Sequence, residues 1–444
     1  MSNVKETVIQ FGEGGFLRGF VDYFFQKLKD RGMFDGSVVV VQPIERGMCE
    51  MLEKQGCEYN LFLRGIDKGE VVDEHTHINV ISRCVNPYTD SEGYMALAEN
   101  PDFRFIVSNT TEAGIEFVPD NRFEDAPAKS FPGKLTQLLY KRYKLGLKGF
   151  IVLSCELIDH NGEELEKCCL QYADLWQLGE DFKTWLKEEN DFCSTLVDRI
   201  VTGFPRDEHE ALCKRIGETD NMMDTAEIFH LWVIQGQHED ELPLQKAGFH
   251  VIWTDNVDPY KKRKVRILNG AHTSMVLGAH LYGLETVGAC LKDEKVSALL
   301  KKCIFDEIIP TIGDNDDNRK FGGAVLERFA NPFIKHLLLS IALNSVSKFK
   351  ARVLPTILEY KEKFGKYPQG LTFSLAALIA FYRTDAANDG EEIMKFMKGA
   401  SVGEILAKTE YWGQDLSGML PEVSRWYDMI RTEGMSKAYD QVLA

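Results

Sequence analysis

The chain has 444 residues, 44% hydrophobic and 27% charged, the composition of a folded globular protein with a large core; a disordered chain and a disulfide-stapled mini-protein are excluded. At roughly 150 residues per domain the length predicts two or three domains. A net charge of −16 opposes phosphate backbones and anionic lipid, so nucleic acid and membrane surfaces are not expected partners.

Taken in chain order, TVIQF at 7–11 reads as a buried strand and 16–28 as an amphipathic helix with Phe, Leu and Val on one face. SVVVV at 37–41 is a second, β-branched strand that ends at Gln42-Pro43. Residues 61–85 are rich in Thr and Val, with a hairpin turn expected at Asp67-Lys68-Gly69. FRFIVS at 103–108 and GFIVLS at 149–154 are two further strands, separated by a helix over 134–143 that follows Pro132-Gly133. Runs at 194–201, 229–235 and 250–253 extend the sheet. Such alternation predicts an α/β fold, a doubly wound parallel sheet of Rossmann type. From about Lys261 helical patterns dominate to Ala444, so the expected division is a Rossmann-type domain over 1–257 and an all-α domain over 258–444.

Ten scattered cysteines without a C-x-x-C pair read as reduced thiols of a cytoplasmic protein. The N-terminal residues run straight into the first strand without a basic and apolar leader pattern. The longest uncharged stretch, 267–284, carries Asn269, His272, Thr273, Ser274 and His280, too polar for a membrane span.

Immediately after the first strand stands Gly12-Glu13-Gly14-Gly15-Phe16-Leu17-Arg18-Gly19. A G-x-G step at a strand-to-helix turn lets the backbone approach a pyrophosphate, which the helix N-terminus then attracts. The third glycine of the dinucleotide fingerprint falls at Leu17, so Gly15 or Gly19 is left to supply close packing. After the second strand Glu45 is the candidate for the ribose hydroxyls, with Arg46 beside it; NAD and its phosphorylated form both remain open on this chemistry.

The densest chemistry is Tyr260-Lys261-Lys262-Arg263-Lys264-Val265-Arg266-Ile267-Leu268-Asn269-Gly270-Ala271-His272-Thr273. On an α-helix, at about 100° per residue, Lys264, Asn269 and His272 share an arc of about 140°. Crowded cations push a lysine toward neutrality, where it can exchange a proton with a carbinol oxygen. Asn269 can donate to that oxygen as charge develops, and His272 can orient the substrate. A solvated basic helix end with a core histidine is the structural alternative.

K-x-x-x-x-N-x-x-H at 264–272 resembles the catalytic pattern of the polyol-specific long-chain dehydrogenases, the mannitol dehydrogenase family. The resemblance continues through FGEGGFLRGF at 11–20, SNTTEAGI at 108–115, LSCELIDHNG at 153–162, DTAEIFHLWVIQG at 224–236 and the segment 328–355. It implies NAD as cofactor, Lys264 as general acid/base, Asn269 as oxyanion donor and His272 as the orienting group. Gly12, Gly14, Gly15 and Phe16 are then expected at the cofactor, with Asn109 on the nicotinamide side. Glu156 matches a position where relatives carry a substrate-contacting aspartate. Asn331, His336 and Lys348 stand at motif positions expected to face the cleft, with capping or packing as the alternative role.

One departure is informative. Relatives carry a glutamate three residues before the catalytic lysine, and this chain has Lys261 there. Added positive charge suits a sugar acid, whose carboxylate a polyol lacks. The activity the resemblance implies is reduction of a keto sugar acid, tagaturonate to altronate, with Lys261 and Lys348 as substrate contacts, and this charge fits it. Fructuronate reduction and mannitol oxidation at C2 are sister activities, and a catalytically silent NAD-binding sensor is the rival of another class. No metal site is implied: His75 and His77 read as solvent-facing strand residues, and lysine acid/base chemistry needs no Lewis acid. The oligomeric state is not legible.

Overall fold

The computed structural model describes residues 5–111 and 113–444. They form two compact units. The first comprises the described residues up to Arg64 and from Val71 to Val257; the second comprises Gly65–Glu70 and Asp258–Ala444.

The first unit is built on β1 (Glu6–Phe11), β2 (Ser37–Val41), β3 (Tyr59–Asp67), β4 (Glu70–Ile78), β5 (Ile81–Val85), β6 (Phe105–Ser108), β7 (Ile151–Ser154), β8 (Asp191–Asp198), β9 (Val201–Gly203), β10 (Asp224–Glu227), β11 (Leu231–Gln235) and β12 (Val251–Thr254). Eight of these form one sheet in the order β12-β11-β8-β7-β6-β1-β2-β5. The six strands from β5 to β8 are parallel throughout and follow the doubly wound dinucleotide order, in which the chain reverses direction between β1 and β6. Alternate residues feed opposite faces. Val8, Val38, Val40, Val107 and Leu153 enter one core, while Ile9, Val39, Val41, Ile106 and Val152 enter the other. That is why these strands read as unbroken apolar runs.

Beyond β8 the parallel order ends, because β11 runs antiparallel to β8. The long link between β8 and β11, residues 199–230, contributes β9 and β10 to a second sheet, β4-β3-β10-β9, which the sequence did not disclose. The Thr/Val-rich stretch accordingly divides: β3 and β4 join the second sheet and β5 returns to the first. Lys68 (φ 52°) and Gly69 (φ 83°) take the left-handed turn between β3 and β4. The helix expected from Lys134 begins at Phe131, capped by the Ser130 side chain, with Pro132 inside its first turn.

Helix α1 (Gly15–Asp30) follows β1 and is buried along most of its length because the second sheet covers its outer side. Gly19 permits that approach: a Cβ there would lie 3.1 Å from Val201 Cγ1. On the same side Arg18 donates to the carbonyls of Glu13 and Met222, and Asp22 accepts from the Tyr59 hydroxyl at 3.0 Å. Burial pushes the Asp22 carboxyl up to about 7.

In the second unit, Asp258–Ala444 is helical. The helix Gln369–Phe381 is buried on every side and packs against the helices Gly270–Tyr282 and Leu420–Thr432. Gly278 leaves room for the C-terminal helix Met435–Leu443, since a Cβ there would stand 3.0 Å from the Tyr439 hydroxyl. Among the described residues no helix is long and apolar enough to cross a membrane.

Candidate active-site residues

In the first unit the candidate cofactor residues gather at the carboxyl ends of β1, β6 and β7. Gly12 has φ 127°, and a Cβ on it would stand 3.0 Å from Leu17 Cδ1 and 3.1 Å from the Asn109 carbonyl oxygen. No other residue fits that turn without strain. Gly14 is the N-cap of α1; no side chain caps the helix, and its first turn holds no acid. A Cβ at Gly14 would meet nothing within 4 Å, so the N-terminus opens onto free space. Uncapped N–H groups and the positive end of the helix dipole suit a pyrophosphate. Gly15 and Gly19 face Asp224 and Val201, so both supply the close packing left open by Leu17.

Beside this turn lies a cavity of about 540 Å³ lined by Phe16, Asn109, Thr111, Ala113 and Leu157. Thr111 holds φ 77°, a strained conformation for a β-branched residue, at the lip of this cavity. Asn109 is fixed by donating from Nδ2 to the Cys155 carbonyl at 2.6 Å. Glu156 is 2% exposed. It accepts from Ser108 Oγ, Thr110 N and Thr110 Oγ1, each at 3.1 Å. Burial pushes its carboxyl above the ordinary range while these donors pull it back. The side chain expected at the substrate thus clasps the ends of β6 and β7.

Glu45 and Arg46 are both exposed, in a loop organised by Gln42, whose Nε2 donates to the carbonyls of Ile44 and Glu45. The residue that ties this loop to the glycine turn is one the sequence reading passed over, Glu13. It is buried and accepts from the Met48 N–H at 3.1 Å. Its place between the two glycines was the available signal.

In the second unit the lysine segment is not the α-helix assumed. Lys264–Asn269 forms a π-helical turn between the helix Asp258–Arg263 and the helix Gly270–Tyr282. In π geometry hydrogen bonds run from i to i+5. Residues 264 and 269 therefore stand one turn apart along the same side, closer in angle than the α-helical value gives. Among the described residues the Asn269 carboxamide makes no hydrogen bond. The His272 ring stacks on Phe329 at 3.8 Å and 8°, meets the edge of His336 at 5.4 Å, and its buried Nε2 has no partner among the described residues. Burial, then His336, Arg328 and Arg352, hold His272 well below the usual histidine range, so it is neutral at neutral pH.

The cationic cluster is less concentrated than its sequence. Arg266 donates to Thr356 Oγ1 at 2.9 Å and Glu359 Oε1 at 2.8 Å, and Lys262 pairs with the same glutamate at 3.4 Å. Arg263 lies over the rings of Tyr260 and Phe321. Burial pushes Lys261 below the usual lysine range. Lys348 donates to the Ile341 carbonyl at 2.9 Å, a capping contact. Asn331 is buried and accepts through its side chain from Phe333 N at 3.0 Å, also within a local turn. His75 and His77 bond to Asn60 and Glu58. One group among the described residues, Asp191, Cys193 and His238, brings its ligand atoms within 4.8 Å of one another at the amino end of β8, away from the glycine turn. There His238 Nε2 already bonds Asp191 at 2.6 Å.

Comparison with known proteins bears on all of this. Residues 6–246 match the family model described as the mannitol dehydrogenase Rossmann domain, and residues 256–429 match the mannitol dehydrogenase C-terminal domain. The altronate oxidoreductase of Phocaeicola vulgatus is 45% identical, covering 99% of this chain and 97% of its own. That of Yersinia enterocolitica is 45% identical over 93% of this chain and 91% of its own. Among solved structures, a D-sorbitol dehydrogenase in substrate-free form superposes with TM-score 0.87 at 23% identity, covering 98% of this chain and 95% of its own. The Pseudomonas fluorescens mannitol 2-dehydrogenase, in a ternary complex with NAD and D-mannitol, does so with TM-score 0.72 at 21% identity, covering 100% and 95%. These two share the fold.

Proposed function

This chain belongs to the mannitol dehydrogenase family, and from that premise we propose that it is a cytoplasmic, NAD-dependent reductase that converts the keto sugar acid tagaturonate to altronate. The observation that carries the chemistry is the π-helical turn with Lys264 and Asn269 on one side and the unpartnered His272 Nε2 just beyond it. Near full-length similarity to enzymes named altronate oxidoreductase supports the choice of substrate.

NADH, when bound, supplies the hydride for the ketone carbon. The uncapped N-terminus of α1 fits its pyrophosphate, with Gly12, Gly14 and Gly15 beneath it and open space at Gly14 among the described residues. Phe16 and Asn109 line the adjoining cavity and are assigned to the nicotinamide side; Glu45 is assigned to the ribose. Lys264 gives its proton to the nascent alkoxide oxygen and takes it back in the reverse direction. Asn269, whose amide makes no hydrogen bond among the described residues, donates to that oxygen as negative charge develops. His272, neutral because it is buried, donates or accepts at a neighbouring hydroxyl and fixes the sugar in register. Lys261 and Lys348 are assigned to the substrate through their charge, and Glu156 acts by holding Ser108 and Thr110 in place.

A panel of tagaturonate, fructuronate and fructose, each with NADH and NADPH, tests the reading. The expected result is fastest NADH oxidation with tagaturonate, with altronate as product. Equal kcat/KM for tagaturonate and fructose contradicts the sugar-acid assignment.

A further inference from the structure

The helix Ser345–Arg352 carries Lys348 and Arg352 four residues apart, hence on one face, where like charges repel. Lys348 spends a donor on the Ile341 carbonyl. Arg352 has no such outlet: it is half-buried, and among the described residues its guanidinium has neither a hydrogen bond nor an ion pair. Burial alone pushes the guanidinium below its usual range, with no acid acting against it. Arg352 in turn bears on both Lys348 and His272, and Asp389 is the one acid that offsets the effect on Lys348.

Arg266 is the internal control. It too is an arginine in the same helical unit, but it is satisfied by Thr356 and Glu359 and shares that glutamate with Lys262. A chain with a net charge of −16 has acids to spare, yet among the described residues none pairs with Arg352. A guanidinium drawn from water without a counter-charge is costly unless an anion arrives to complete it. Its position is also set: the Arg352 carbonyl lies 3.1 Å from where a Cβ on Gly270 would be, so the end of this helix abuts the residue that follows Asn269.

We infer that Arg352 is the carboxylate-binding group of the substrate site, its fork taking the acid end of a sugar acid while Lys264, Asn269 and His272 serve the carbonyl end. The inference rests on the sugar-acid reading above and moves the main charge contact from Lys261 and Lys348 to a residue the motifs did not single out. A planar guanidinium pairs with a carboxylate through two parallel hydrogen bonds, which a lysine cannot reproduce.

The probe pair is D-altronate and the matching neutral polyol D-altritol, titrated calorimetrically into the full chain with NADH present so that no turnover occurs. Wild type binds altronate roughly 10- to 150-fold more tightly than altritol, as a charge-assisted contact predicts. Arg352→Met brings the two within about threefold, with altritol and NADH binding unchanged. Arg352→Lys keeps the charge and loses the fork, so it gives an intermediate preference and carries the test should the methionine variant not fold. A preference that survives in Arg352→Met, or that is undiminished in Arg352→Lys, overturns the inference, as does a wild type that does not distinguish the pair. An Arg352-dependent preference in an enzyme that does not reduce tagaturonate leaves the carboxylate site standing and removes the reaction. Tagaturonate turnover with an Arg352-independent preference does the reverse.

Discussion

Glu156 in the first unit and Arg352 in the second are both charged side chains withdrawn from water, and their surroundings are opposite. Glu156 has three donors within 3.1 Å and faces no unmet demand. Arg352 has none among the described residues, and His272 nearby also has an unpartnered nitrogen. The contrast extends to the two halves of the chemistry. In the function proposed above, the first unit serves the cofactor with backbone: an open helix end, a glycine turn and side chains that hold that backbone in place. In that reading the second unit serves the substrate with side chains, among them Asn269, His272 Nε2 and Arg352, which make no hydrogen bond among the described residues. A backbone site is broken by adding atoms, and a side-chain site by removing them.

Asn269→Ala removes an oxyanion donor from the side-chain site and should lower kcat by roughly 10²–10³-fold, with NADH affinity unchanged. Steady-state kinetics with tagaturonate check this; a raised KM with an intact kcat would make Asn269 a ground-state contact. Gly12→Ala adds one carbon to the backbone site, where φ is 127° and the nearest atoms stand at 3.0 and 3.1 Å. Strain of about 1–3 kcal/mol is relieved by moving the turn, so NADH binding should weaken roughly 10-fold. Fluorescence titration of NADH measures it, and an unchanged Kd would show that the turn does not hold the cofactor.

The smallest effect concerns stability. Asp22 is raised from 3.8 to about 7 by burial, so between those values the folded state holds a proton that the unfolded chain has released. Stability from this group is present below pH 3.8 and is lost as pH rises through about 7. Asp22→Asn, which keeps an acceptor for Tyr59, should raise Tm by about 2–4 °C at pH 8 and progressively less as pH falls toward 4. A gain that is equal at both ends of that range contradicts the assignment.

Much of this division can be read in the residues themselves. The parallel strands declare themselves as β-branched apolar runs because both of their faces are buried. Gly12-Glu13-Gly14 marks the tight turn after β1 because φ 127° at Gly12 demands glycine. The second sheet does not declare itself: β9 has three residues, and β10 is Asp-Thr-Ala-Glu, whose burial depends on α1 and β3 far away in sequence. The π-helical turn is equally silent, since a helix period drawn from one sequence cannot reveal an inserted residue. Lys348 and Arg352 were visible as a like-charged pair on one helical face. What made Arg352 informative was the lack of an acid beside it, and only tertiary structure reports an absence of that kind. Glu156 shows the converse, a motif residue whose side chain was already engaged.

Lys264→Ala tests the division of labour most directly, because the lysine belongs to the side-chain half and has no part in the backbone half. Turnover of tagaturonate should fall by roughly 10²–10⁴-fold while NADH Kd stays within about twofold, and added primary amine should restore rate in proportion to its concentration. A variant that keeps a tenth or more of kcat, or one that loses NADH binding together with turnover, would contradict the account.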